Sequence, residues 1–283
     1  MKNITIYHVP NGIKGVTAAK LAKHPCPECP KTERLSAGFV PADNEGNYLV
    51  SIGAQHHLFA VEFQTRRVDS KAVKREAQKR LNGQPYGRKQ MREMIESVGL
   101  EFLAKTLPSP KTVTAWLDCV NNRLMVDTTS ASVAELVVSK LTDAVDGLNF
   151  ELPNREDLPV RLKSFMLDDS AIPDGFDRGD SVVIKSKKED SSRAAYKIFN
   201  LFGLNGEILL NSDVIELGMI YSATDFPSTF TLTSTGLIKG LKLDTNPEGE
   251  VHADFLIFAE TVAPMLNKLF DTSEAMNYIR ASA

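Results

Sequence analysis

Residues 112–127 read TVTAWLDCVNNRLMVD, and this stretch decides the class of fold. Thr112–Val120 is rich in β-branched and aromatic residues, and Arg123–Asp127 supplies a return strand. Asn121-Asn122 between them tolerates the positive φ that a tight turn requires. Trp116 sits in the alternating run Thr114–Asp118, which predicts a core position rather than a base-stacking platform. This is the strongest β-hairpin signal in the chain.

Downstream, Ser130–Val145 is an amphipathic helix with Val133, Leu136, Val137 and Leu141 inward. Leu158–Leu167 reads as another helix. Asp168–Asp180 is an acidic turn region before the strand Ser181–Lys185. Ser191–Phe202 reads as helical. Ile208–Leu210, Val214–Tyr221, Thr229–Ser234 and Leu237–Leu243 read as strands of a meander. Asp254–Phe258 reads as a short apolar strand, and Glu260–Phe270 as a helix with Val262, Leu266 and Leu269 inward. Upstream, Asn3–Val9 is a strand that stops at Pro10-Asn11-Gly12, and Val16–Lys23 a short helix. His24–Pro41 reads as irregular. Tyr48–Gly53 and His57–Arg67 are strands. Strands and helices do not alternate regularly, so the fold class is α+β with antiparallel sheets rather than a doubly wound parallel sheet.

Between the last of those upstream strands and the opening β-hairpin lies the most charged part of the chain. Residues 65–92, TRRVDSKAVKREAQKRLNGQPYGRKQMR, hold ten basic residues and two acids, a local charge of +8. The whole chain is −3, so the rest carries −11. Separation of this kind costs self-repulsion, which a polyanionic partner relieves. Asp69 and Ser70 are caps for a helix Lys71–Leu81. At 100° per residue, Lys71, Lys74, Arg75 and Lys79 share one face, beside an apolar stripe of Val73, Ala77 and Leu81. Asn82-Gly83-Gln84-Pro85 breaks the helix, and Arg88–Lys105 forms a second one. Its stripe is Met91, Met94, Ile95, Val98 and Phe102, so the two helices form a helical hairpin. Few acids are interleaved, which favours nucleic-acid contact over a merely solvated face. A weaker cluster, Lys185, Lys187 and Lys188, follows an apolar strand, with Glu189 and Asp190 diluting it.

Bulk composition narrows the classes. A hydrophobic content of 42% and a mean hydropathy of −0.17 exclude a disordered chain. No window holds 18 uninterrupted apolar residues, and the N-terminus lacks a signal-peptide apolar region. An odd count of three cysteines argues for a reducing compartment, so a cytoplasmic protein is expected. His24, Cys26 and Cys29 supply at most three ligands of a four-ligand zinc site, so no metal is assigned. His56 and His57 point to opposite faces of a strand. The aspartates 168, 169, 174, 177 and 180 do not match a calcium loop. Phosphate-loop, dinucleotide and nucleophile-elbow motifs are absent, and no catalytic residue or cofactor is assigned. Asp43, Asp69 and Lys71 loosely mimic the carboxylate–lysine layout of metal-dependent nucleases. That layout is the enzyme alternative. The other alternative is an acidic antagonist that imitates DNA to titrate a repair enzyme.

From the Trp116 hairpin outward the chain resembles the recombination-associated RdgC family. Trp116–Asp127 is close to the family's hairpin, and Gly38-Phe39-Val40-Pro41 resembles its Gly-aromatic-Val-Pro segment. Pro25-Cys26 matches a Pro-Cys before that segment, and Asp69–Leu81 falls at its lysine-rich helix. Ile184–Glu189, Leu237–Leu243 and Ala253–Ile257 match later segments in order. The resemblance implies a horseshoe-like protomer and a ring-shaped homodimer whose basic hole encloses double-stranded DNA without sequence preference. It also implies restraint of RecA-type strand exchange or of exonuclease access, and a nucleoid-associated location. The expected DNA-binding set is Arg66, Arg67, Lys71, Lys74, Arg75, Lys79, Arg88, Lys89 and Arg92, with Lys187 and Lys188 assisting at a dimer contact. On this reading residues 66–109 are a basic hairpin tip, and 1–65, 110–150 and 250–283 form a central α+β region. Residues 151–249 form a second one, the base. Two departures stand out. Glu189 replaces a glutamine, and Leu107-Pro108 is followed by Ser109-Pro110-Lys111 rather than by the family's phenylalanine finger.

Overall fold

The computed structural model describes residues 1–81, 86–186, 193–197, 211–245 and 249–270. In chain order its strands are β1 (Thr5–His8), β2 (Leu35–Val40), β3 (Val50–Ile52), β4 (His56–Thr65), β5 (Ser109–Asp118), β6 (Arg123–Val126), β7 (Phe176–Ser186), β8 (Arg193–Lys197), β9 (Ser212–Tyr221), β10 (Ser228–Thr233) and β11 (Ile238–Leu243). The helices are α1 (Ala18–Leu21), α2 (Ser70–Arg80), α3 (Arg88–Lys105), α4 (Ala131–Ala144), α5 (Leu158–Leu167) and α6 (Val251–Phe270). Strand pairs are antiparallel throughout, as an α+β chain with short connections requires.

The Trp116 hairpin is the middle of the first sheet, ordered β1-β6-β5-β4-β2, with β3 also on β4. Its turn is wider than the two residues expected. The last ladder pair is Asp118↔Arg123, and Cys119–Asn122 forms the loop, with Asn122 at φ 51°. Asp118 is the cause. Its buried carboxylate accepts from the backbone N–H groups of Val120 and Asn121, both at 3.1 Å, and from the Asn121 side chain at 2.7 Å. Those bonds replace the ladder at the turn.

The period-2 pattern of β4, β5 and β6 sorts two cores. One face, with Phe59, Val61, Ala115, Leu117 and Leu124, packs on Ala134, Val137 and Leu141 of α4. The other, with Leu58, Trp116 and Met125, joins α5, α6 and the second sheet, ordered β11-β10-β9-β7-β8. Trp116 is fully buried there, edge-on to Phe255 and Phe258. The first eight residues tie the sheets together. Ile4 pairs with Ile238, Leu241 N–H donates to Lys2 O at 2.7 Å, and β1 then pairs with β6.

Three expectations fail, each for a tertiary reason. Within the irregular stretch 24–41, residues 35–40 are a strand, β2, because β4 offers it six register pairs. Residues 193–197 of the expected helix 191–202 are the strand β8, paired with Ser181–Lys185, and the rest lies outside the described residues. The expected strand 254–258 is part of the 20-residue helix α6. Phe255, Ala259, Val262, Leu266 and Leu269 recur at helical spacing, which a five-residue window cannot show. β7 also starts earlier than expected, at Phe176, so Asp177 and Asp180 are strand residues. The expected break at 82–85 and strand at 208–210 lie outside the described residues.

Candidate nucleic-acid interface

The chain leaves β4 at Thr65 and enters α2 through Asp69, whose side chain accepts from Lys71 N–H at 2.8 Å. That cap satisfies one orphan donor and sets a carboxylate at the positive helix end. Val73 and Ala77 then pack against Val98 of α3, with Met91, Met94, Ile95 and Phe102 around them. This is a small core. Polar clasps therefore matter to the hairpin. Arg80 reaches both oxygens of Glu101 at 2.7 and 2.8 Å, and its Nε reaches Glu76 at 3.0 Å. The bidentate geometry binds α2 to α3. The Glu101 carboxyl is held below its ordinary range, chiefly by the hydrogen bonds from Arg80.

With one side packed and Arg80 committed, α2 presents Lys71, Lys74, Arg75 and Lys79 to solvent. None of the four has an acidic partner within ion-pair distance among the described residues. Arg67 and Arg88 are exposed in the same way. Lys89 and Arg92 differ. They pair one turn along α3 with Glu93 at 4.0 Å and Glu96 at 3.2 Å. Exposed pairs of this kind are weak and yield readily to a phosphate. Lys187 and Lys188 lie outside the described residues.

Arg66 stands apart from the set. It is buried, and its guanidinium donates to main-chain carbonyls of Cys29, Pro30 and Thr106. Three of its five N–H donors are engaged in this way, and burial sets the guanidinium back from the surface where a phosphate would lie. Three cations outside the expected DNA-binding set share the hairpin root: Arg34, Lys105 and Lys111, all exposed. Arg34 O accepts from Arg66 N–H, and β5 begins where β4 ends, at the pair Thr65↔Ser109. They come from three separate segments of the chain. Only the pairing of β2, β4 and β5 brings them to one end of the sheet.

The carboxylates considered for metal-dependent cleavage are not assembled. Asp43 follows the Val40↔Ala60 end of the β2–β4 ladder, whereas Asp69 follows the Leu35↔Thr65 end. Five residue steps of strand, about 17 Å, separate the two ends. Asp43 is engaged in its own turn, accepting from the Asn47 side chain at 2.7 Å and from the backbone N–H groups of Glu45 and Asn47. Those bonds, the Asn47 side chain first, hold its carboxyl below the usual range. Cys26 Sγ faces Glu62 O at 3.4 Å, and Cys29 Sγ faces Glu33 O at 3.6 Å. Burial, followed by the charge of Glu62, pushes the Cys26 thiol up. Among the described residues no three His, Cys, Asp or Glu side chains are grouped for a metal. His56 and His57 diverge as expected. The first accepts from Trp116 Nε1 at 3.3 Å, and the second meets Ser51 Oγ at 2.8 Å.

Residues 1–274 match the family model described as "Putative exonuclease, RdgC". A recombination-associated protein RdgC of Burkholderia cenocepacia is 23% identical over 295 residues, covering 95% of this chain and 94% of that protein. Proteins of the same name from Dechloromonas aromatica and Janthinobacterium sp. are 26% and 27% identical over 205 and 206 residues. Each alignment covers 69% of this chain, and 67% and 68% of those proteins. No described helix is long and apolar enough to cross a membrane. The match spans both sheets and the basic hairpin inserted between β4 and β5, and the chain belongs to the RdgC family.

Proposed function

We propose that this chain binds double-stranded DNA without sequence preference, and that two copies close around the duplex as a ring. One observation carries the reading: Lys71, Lys74, Arg75 and Lys79 are exposed on α2 with no acid within ion-pair distance among the described residues. From Lys71 to Lys79 the helix rises about 12 Å. That length spans about three to four phosphates of one strand, at roughly 3.4 Å of axis each. Arg67 and Arg88, and after exchange of their partners Lys89 and Arg92, extend the contact; Lys187 and Lys188 assist. Side chains of this kind meet phosphates, not base edges, so the binding is blind to sequence. A protein seated this way hinders recombinase filaments and exonucleases on the same duplex, and resides with the nucleoid. The relatives' name, recombination-associated, supports that setting.

The test is duplex binding against salt. Each phosphate neutralised contributes about −0.9 to the log–log slope. The triple variant Lys71→Glu, Lys74→Glu, Arg75→Glu should lose affinity equally for unrelated sequences, with a slope shallower by about 2.7. An unchanged slope would remove α2 from the interface. The family description also names an exonuclease. End-labelled duplex kept with magnesium or manganese should retain its ends; progressive shortening would put that activity first.

A further inference from the structure

Arg66 belongs to the most basic stretch of the chain, yet its charge does not reach the surface. It stands one residue past β4 and three before the α2 cap, and its backbone N–H donates to Arg34 O at 2.9 Å. Its Nη2 reaches Cys29 O at 2.8 Å, its Nε reaches Pro30 O at 3.2 Å, and its Nη1 reaches Thr106 O. Thr106 is the C-cap of α3. A single side chain therefore joins the incoming end of the hairpin, its outgoing end and the 29–30 loop. Arg66 forms no ion pair among the described residues. The carbonyl dipoles answer the charge, and the negative end of α3 adds to them. Burying a cation costs desolvation, which only good geometry repays. The planar fork of an arginine fits three fixed carbonyls in a way that a lysine ammonium does not.

We propose that Arg66 is a positioning residue that sets how the basic hairpin leaves the central sheet. It aims the cations of α2 and takes no part in holding the polyanion. The last clause rests on the DNA reading above. If the aimed state is one of several, losing the clasp lowers affinity by the fraction still aimed. The bound state keeps its phosphate contacts, so the salt slope stays. A contact residue behaves the other way.

Hydrogen–deuterium exchange and duplex binding, measured on the full chain, separate these cases. Arg66→Gln should lower amide protection in α2 and α3 about tenfold, with β5 and β6 unchanged. Affinity should fall by about tenfold at an unaltered slope. Lys71→Ala should instead keep protection and make the slope shallower by about 0.9. Arg66→Lys keeps the charge but loses the fork; it should move in the same direction as Arg66→Gln, and it stands in if the glutamine variant does not fold. Protection at the wild-type level in both Arg66 variants would overturn the clasp. Lost protection with full affinity would overturn the positioning role, as would a slope shallower by 0.9 with protection intact. If the wild type binds no duplex, the DNA reading falls and with it the positioning role, while exchange still judges the clasp.

Discussion

Gly38 shows how much a single position can carry. It lies inside β2, where a glycine ordinarily weakens a strand. A Cβ built there would stand 2.4 Å from Pro25 O and 2.5 Å from Cys26 N. Both are backbone atoms, so neither can swing aside. The close approach lets residues 24–26 run along the outer edge of β2, with Cys26 N–H donating to Phe39 O and Phe39 N–H to His24 O, both at 2.9 Å. A paired edge cannot recruit a stray strand. Gly38→Ala should therefore destabilise the fold by about 1–3 kcal/mol or more, read as a lower urea midpoint with unchanged slope. A wild-type midpoint would mean the 24–26 segment moves freely. The sequence marked the Gly-Phe-Val-Pro segment by resemblance alone. The reason for its glycine lies in a neighbour twelve residues away.

Among the elements, the helical hairpin is where sequence and structure agree best. The Asp69 cap of α2 and the apolar stripes are local signals that need no knowledge of the rest of the chain, although Leu81, expected in the stripe of α2, is instead its C-cap. The cross-helix clasp does not follow, because Arg80 and Glu101 are 21 residues apart. Arg80→Ala and Glu101→Ala should each lower the melting temperature, and the double variant should lose little more than either single one. The pH dependence has a definite sign. Glu101 is held below its ordinary 4.5 by Arg80, so the clasp contributes fully above that value. Its contribution disappears as pH falls through the lower folded-state pKa. Coupling that persists in strong acid would mean that packing, not the ion pair, links the helices. The opposite lesson comes from β8 and α6. Residues 193–197 read as helix and are strand, since the open side of β7 supplies their hydrogen bonds.

For the molecule as a whole, the proposed ring carries a prediction of its own. A ring closed by two copies should stay on a covalently closed circle after a salt rise that frees a short linear duplex. Light scattering should report two chains per short duplex. Equal release from circle and linear DNA would leave binding without encirclement. What the amino-acid order determined by itself was local: the helices α2 and α3, the Trp116 hairpin, the β9–β11 meander and the concentration of cations in residues 65–92. Each depends on a period or a cap within a few residues. The long-range pairings decided the rest. They hid Arg66 beneath carbonyls from two distant segments, gathered Arg34, Lys105 and Lys111 at the hairpin root, and parted Asp43 from Asp69. Whether a charge is buried or offered to a partner depends on which distant backbone lies beside it, and only the folded chain settles that.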